Sequence, residues 1–211
     1  MNPPIQNDAM LSTCEIRWFE EGKANGAIQE WLSHAWGRDL ERADPRTDAY
    51  LRDKSTDTIG VKVREDKLEI KRRVSAQILD LEKTGPCPIA SYRKWSVPLA
   101  GREIDTDTGD WIEVAKQRHL ACWTGAGTHF EPAPLDTEKS PRCVVEYSEL
   151  EIEEVDAWTL GLEVSDGNFD PLHELGDWLS ALVEDLLNQK GAPDLTTQTV
   201  GDYPLWLKRY L

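Results

Sequence analysis

Charged residues recur at every second position in several short segments, and their signs are sorted by segment. Lys62 and Arg64 alternate with Val61 and Val63, and Glu69, Lys71 and Arg73 follow opposite Leu68 and Ile70. Lys116 and Arg118 share one phase of the stretch 111–123. Glu149 and Glu151 stand opposite Leu150 and Ile152, Glu163 opposite Leu160 and Leu162, and Glu15 with Arg17 opposite Ile16 and Trp18. Period-two alternation marks a strand with one apolar and one polar face. An antiparallel sheet that solvates its charged face is the ordinary reading of such a pattern. The alternative is a barrel with the charged face inside, basic on some strands and acidic on others. That arrangement suits a polyphosphate, whose oxygens take Lys and Arg, together with a divalent metal, which takes carboxylates. The heavy apolar faces (Trp18, Val61, Val63, Leu160, Leu162) favour the barrel, because they call for a cover on the outside.

The chain supplies that cover. Asn25–Trp36 places Ile28, Trp31, Leu32 and Trp36 on one side of a helix. Pro171–Asn188 is a second helix, with Asp170 as its cap, Pro171 in its first turn, and Leu175, Trp178, Leu179, Leu182, Val183 and Leu186 as its apolar stripe. Gly191 and Pro193 stop it. Strands are expected at 14–19, 59–64, 68–73, 89–99, 111–123, 147–152 and 159–164, with Glu65-Asp66-Lys67 as a hairpin turn. The stretches 101–110 and 124–141 are rich in Gly, Pro, Thr and Asp and read as loops. No repeat or linker divides the sequence, so one antiparallel domain over 1–211 with attached helices is the simplest architecture.

Composition narrows the function. The 211 residues carry 24 Lys+Arg against 39 Asp+Glu, a net charge of −15. That balance argues against a nucleic-acid backbone as partner, which needs clustered cations to displace counterions. No apolar run approaches the ~18 residues of a membrane span. The opening MNPPIQNDAM has neither the basic nor the apolar region of a secretory signal, so a cytoplasmic protein is expected. Cys14, Cys87, Cys122 and Cys143 are too scattered for a zinc site or a disulfide framework and read as small hydrophobes. From Cys143 to Gln189 there are 13 acids and no Lys or Arg. A long acidic stretch in a chain that also holds the basic segment 62–73 suggests a site built from both.

The order of these segments resembles the CYTH superfamily, the triphosphate tunnel metalloenzymes, along nearly the whole chain. Glu15-Ile-Arg17-Trp-Phe19 stands where the family has its Glu-x-Glu-x-Lys strand. Thr47-Asp48-Ala49-Tyr50-Leu51 is similar to the family's Asp-x-Tyr-Leu segment, and 60–64 with 68–73 to its paired basic strands. Glu149–Glu153 and Trp158–Glu163 resemble its acidic closing strands, and Asp202–Leu207 its Ser-Tyr-Pro-x-Trp-Leu tail. The resemblance implies an α+β fold, an antiparallel β-barrel tunnel of about eight strands with flanking helices. It implies a hydrolase acting on inorganic triphosphate or a nucleoside or organic triphosphate. Lys62, Arg64, Lys71 and Arg73 would then bind phosphate oxygens, with Arg93, Lys116 and Arg118 extending the cradle. Glu15, Glu149, Glu151 and Glu163 would hold Mg²⁺ or Mn²⁺, and Glu15 and Lys71 would stand at the catalytic centre. The signature strand departs from the family: Arg17 replaces the second Glu and Phe19 the Lys, one carboxylate and one cation fewer. A binder of phosphorylated ligands on the same fold is the alternative function. A third is an acidic face toward a basic partner.

Overall fold

Alternation of period two puts successive side chains on opposite faces of a strand, and this chain uses it around a closed cylinder. The computed structural model describes residues 10–37, 39–126, 129–166 and 172–210. In chain order the elements are β1 (Leu11–Glu21), α1 (Gly26–Trp36), β2 (Glu41–Arg42), β3 (Arg46–Leu51), β4 (Ile59–Arg64), β5 (Lys67–Leu81) and β6 (Gly85–Pro98). They continue with β7 (Trp111–Ala126), β8 (His129–Ala133), β9 (Arg142–Ile152), β10 (Val155–Asp166), α2 (Leu172–Asn188), β11 (Thr199–Val200) and α3 (Tyr203–Leu207), with a 3₁₀ turn at Lys208–Tyr210. Eight strands run antiparallel in the order β10-β9-β7-β3-β4-β5-β6-β1, and β1 pairs with β10 to close the ring. The expected α+β barrel with flanking helices is the observed fold, and closure leaves no free sheet edge among these eight strands.

Two tight turns set the register. Glu65 and Asp66 both have positive φ (48° and 59°), as do Glu153 and Glu154 (48° and 71°), which matches the twist of the flanking strands in a two-residue hairpin. The first joins β4 to β5 and the second β9 to β10.

The outer face of the barrel is apolar where α1 and α2 cover it. Ile16 and Trp18 of β1, Val145 and Tyr147 of β9, and Leu160, Leu162 and Val164 of β10 pack against Ile28, Trp31 and Leu32 of α1 and against Leu175, Leu179, Leu182 and Leu186 of α2. Asn25 caps α1, its Oδ1 accepting from the Ala27 N–H, and Gly37 ends it in the left-handed region. The expected cap of α2, Asp170 with Pro171, lies outside the described residues. All four cysteines are buried as thiols, none of them in a disulfide.

One end of the interior is filled. Phe19, Tyr50, Ile112, Val114, Leu150 and Ile152 point inward there and meet Trp206 and Leu207 of α3. The Phe19 ring stacks on Trp206 at 4.6 Å and takes the edge of Tyr203 at 5.1 Å, and Tyr203 stacks on Tyr50 at 5.2 Å. Asp202 caps α3 by accepting from the Leu205 N–H, and its other oxygen accepts from the Tyr92 hydroxyl at 2.8 Å, so the tail is tied to β6. Gly60 has to be glycine because a Cβ there would sit 2.6 Å from the Pro204 ring. Trp206 is 1% exposed, and Trp206→Ala is expected to cost about 3–5 kcal/mol, read as the fall in unfolding free energy in urea. A loss under ~1 kcal/mol would show that the tail is not part of the fold's core.

Several elements differ from the sequence expectation. β8 forms within the stretch read as loop, pairing with β7 from Cys122↔Ala133 to Ala126↔His129. β3 has only six residues and an interior face of Arg46, Asp48 and Tyr50, too mixed to register as an apolar strand. β5 runs on to Leu81, through a register shift between Arg73 and Ser75 where the alternation breaks.

Candidate functional site

The other end of the interior is a charged cavity of about 350 Å³, within the size range of small-molecule sites. Among the described residues nine basic side chains line it: Arg17, Arg46, Lys62, Arg64, Lys71, Lys94, Lys116, Arg118 and Arg142. Five acids accompany them: Glu15, Glu69, Glu146, Glu163 and Asp202. A wall richer in cations than anions, inside a chain of net charge −15, concentrates positive potential in a low-dielectric enclosure.

Strand register explains the arrangement. Glu15 of β1 lies opposite Glu163 of β10, and Arg17 opposite Gly161, which is in turn opposite Glu146 of β9. Lys71 of β5 reaches across and donates to Glu15 Oε2 and to Glu163 Oε2, the latter at 3.0 Å. Arg17 Nε donates to Glu15 Oε1 at 2.6 Å and its Nη1 to Glu146 Oε1 at 3.0 Å. On the opposite wall Asp48 is fully buried and gathers Lys116 (2.9 Å), Lys62 (3.0 Å) and Arg46 (3.1 Å). Arg64 donates to Glu69 at 2.6 Å.

These pairings move the ionisations. Burial works against each carboxylate, yet Arg17 and Lys116 hold Glu146 down at about 2, and Lys71 with Lys94 does the same for Glu163. Lys116, Lys62 and Arg46 keep Asp48 well below the usual carboxylate range. Lys71 is only partly buried, and its two carboxylates raise its pKa above the ordinary lysine value. Lys116 goes the other way. Burial, with Lys62 nearby, brings it down to about 7 in spite of Asp48. Its ammonium lies 3.8 Å from the centre of the Tyr203 ring and donates to the Tyr50 hydroxyl at 2.8 Å.

Some cations hold less. Lys94 and Arg118 reach their nearest carboxylates only at 4.0 Å. Nε of Arg64 and of Arg118 is buried with no hydrogen-bond partner among the described residues. Buried donors are ordinarily satisfied, so these are places where an anion fits.

Of the residues singled out in the sequence, Glu15, Lys62, Arg64, Lys71, Lys116, Arg118 and Glu163 line this one cavity. Arg73 stands just beyond it, donating to the Asp57 carbonyl at 2.9 Å, with Nη1 3.9 Å from Asp202. Arg93 is a correction: neighbouring Lys94 takes the inward phase of β6, and Arg93 donates outside to Ser12 Oγ at 2.8 Å. Glu149 and Glu151 are corrections too. They share the phase of Val145 and Tyr147, which pack on the outer face, and they line a shallow groove outside the barrel with Pro45 and Asp156. The inward phase of β9 is Arg142, Val144 and Glu146, then Leu150 and Ile152 once the strand reaches the filled end. Polarity therefore swaps faces along the strand, and the carboxylate inside is Glu146. Arg46, Glu69, Lys94, Arg142, Tyr92 and Tyr203 also line the cavity without having been singled out. Lys94 follows from the phase of Tyr92, and Glu69 from that of Lys71.

No family model matches the chain, and no curated protein does. Among solved structures it is similar to the mimivirus capping-enzyme triphosphatase, at 10% identity and TM-score 0.41, over 83% of this chain and 90% of that one. It is similar also to the S. pombe Pct1 RNA triphosphatase, at 13% identity and TM-score 0.38, over 83% and 76%. The PH1012 protein of Pyrococcus horikoshii matches at 14% identity and TM-score 0.41, over 85% and 93%. Likenesses this distant leave the cavity's own residues to decide what it does.

The sequence resemblance implies Mg²⁺ or Mn²⁺, and the donors do not fit one. Both oxygens of Glu15 are taken by Arg17 and Lys71, and Glu163 Oε2 by Lys71. Glu146 has Arg17 on one oxygen and Arg118 at 4.0 Å from the other. Among the described residues no group of three or more His, Cys, Asp or Glu is placed to hold a metal ion. Mg²⁺ keeps several waters but still takes one or two carboxylates as ligands, and here the carboxylate oxygens already face ammonium and guanidinium groups.

Proposed function

We propose that the barrel binds the triphosphate end of a small molecule, or inorganic polyphosphate, in its charged cavity. The observation that carries this reading is the set of nine inward cations in a chain of net charge −15, including Arg64 and Arg118 with unpartnered Nε donors. Arginine offers a planar fork to two phosphate oxygens and lysine a point charge, and the wall has both. The cavity's size and its less polar floor of Tyr50, Tyr203 and Pro204 suit an entering chain end, with any attached group left outside. Hydrolysis of the bound chain is the second reading, favoured by Glu15, Glu146 and Glu163 facing the same space. No helix of the described residues is long and apolar enough to cross a membrane.

The test is thermal unfolding with tripolyphosphate, pyrophosphate, phosphate and sulfate. A ligand at 100 times its Kd adds about 2.7 kcal/mol to stability. For a chain of this size that is roughly 5–10 °C in Tm. Tripolyphosphate is expected to give the largest shift. Equal shifts from tripolyphosphate and sulfate, or none, would overturn the proposal.

Lys116 adds a pH dependence. Its folded pKa is depressed to about 7, so it carries a full charge toward the ligand only below that value. Tripolyphosphate affinity is expected to fall as pH rises from about 6 to 8, by more in wild type than in Lys116→Met. The same group acts on stability with the opposite sign. Between pH 7 and the ordinary lysine value the unfolded chain binds the extra proton, so its contribution to stability rises with pH. Calorimetric titrations of both proteins across that range check the binding half. Parallel pH profiles would show that Lys116 does not reach the ligand.

A further inference from the structure

The carboxylates that would hold a metal form, with their partners, an alternating row: Glu163, Lys71, Glu15, Arg17, Glu146. Each acid has a basic neighbour, and each base bridges two acids. We infer that this cavity takes its phosphate ligand without a divalent cation, because Lys71 and Arg17 are fixed cations seated among those carboxylates. The inference deepens the phosphate-binding reading and rests on it.

The row is built into the backbone. Glu15 and Glu163 are register partners, so the two carboxylates are neighbours by construction, and Lys71 donates to both. An ammonium has three donors, so one N–H of Lys71 remains for a phosphate oxygen. Arg17 reaches Glu146 by crossing the strand between them at Gly161. A Cβ at Gly161 would lie 2.4 Å from Arg17 Cζ and 2.5 Å from Nη2. Only glycine leaves room for the guanidinium, which makes Gly161 a positioning residue for Arg17. With Arg17 7% and Glu15 5% exposed, neither partner has a hydrated alternative to the pair. A divalent ion entering here would face two like charges and would have to displace both from Glu15. A phosphate chain meets the reverse situation, since the same cations attract it and the looser Arg118 and Lys94 stand nearby.

The experiment is calorimetry of tripolyphosphate on wild type in EDTA and in Mg²⁺, with a separate Mn²⁺ titration lacking phosphate. Expected are tripolyphosphate affinities within about threefold of each other in the two media and no saturable Mn²⁺ binding below 1 mM, roughly the weakest class of protein calcium site. Binding in Mg²⁺ alone, or a saturable Mn²⁺ site in wild type, would overturn this inference while leaving the phosphate-binding reading intact. No binding in either medium would overturn both. Gly161→Ala is expected to weaken tripolyphosphate binding in EDTA about tenfold and to open a Mn²⁺ site, because the displaced guanidinium uncovers Glu15 and Glu146. Arg17→Gln reads the same outcome should the alanine variant fail to fold. Unchanged metal-free affinity in the folded variant would overturn the assignment of Gly161 and Arg17.

Discussion

Lys71→Ala is expected to lower both stability and ligand affinity, by amounts that a second substitution separates. The ammonium is shared by Glu15 and Glu163, and removing it leaves two carboxylates facing each other across β1 and β10 with one fewer compensating charge. Breaking a buried ion pair from one side costs about 3–5 kcal/mol, and the quarter exposure of this side chain places Lys71 at the lower end. Loss of a charge-assisted hydrogen bond to the ligand costs another ~1.5–3 kcal/mol in binding. Adding Glu163→Gln to Lys71→Ala removes the repulsion without restoring the phosphate donor. Urea denaturation of the double variant is expected to recover most of the lost stability, while calorimetry with tripolyphosphate stays at the level of the single variant. Recovery of both together would mean that Lys71 acts on the carboxylates and not on the ligand.

The pairing that makes Lys71 consequential was partly legible in the sequence. Strand alternation located β1, β4, β5, β6, β7, β9 and β10, because apolar and polar residues alternate along each for several residues, and in β1, β9 and β10 the apolar phase packs in the core that α1 and α2 cover. It did not say which face was inside. On β4 and β5 the charged face points inward along the lined stretch, so Lys62, Arg64 and Lys71 were found. On β9 the rule fails at Ser148, where the interior passes from the charged cavity to the floor made by α3. Glu149 and Glu151 look like the polar face of a barrel strand and are outside, whereas Glu146, in register with Gly161, is inside. A tail that folds back from the end of the sequence into the barrel cannot be seen in the local pattern of β9. The same tail explains Phe19. Set against the family's strand, it reads as a missing cation, but its ring is fully buried against Trp206 and Tyr203. A lysine placed there would meet the rings of Trp206 and Tyr203. Phe19 belongs to the core at the end of its strand, and Arg17 pairs with two carboxylates within the cavity.

That pairing sets the largest expected effect, at Arg17. Arg17→Glu replaces the one group that neutralises Glu15 Oε1 and Glu146 Oε1 at once with a third carboxylate. Burial of unpaired charge of one sign is among the costliest single changes, and a loss of roughly 4–5 kcal/mol or more is expected at neutral pH. The loss should shrink toward acid pH, since a carboxylate crowded by others keeps its proton to higher pH and a neutral acid carries no repulsion. The substitution also creates what wild type lacks, three carboxylates around one space with Glu163 beside them. Mn²⁺ is therefore expected to raise the Tm of Arg17→Glu by several degrees and that of wild type by little, through mass action on the folded state. Arg17→Met separates the two components, because it removes the cation without supplying a ligand and should respond to Mn²⁺ less than the glutamate variant does. Thermal scans of the three proteins over a Mn²⁺ series decide it. Equal metal responses would place Arg17 outside the control of metal access, and the alternating row would then be a stabilising network with no bearing on which cation the cavity uses.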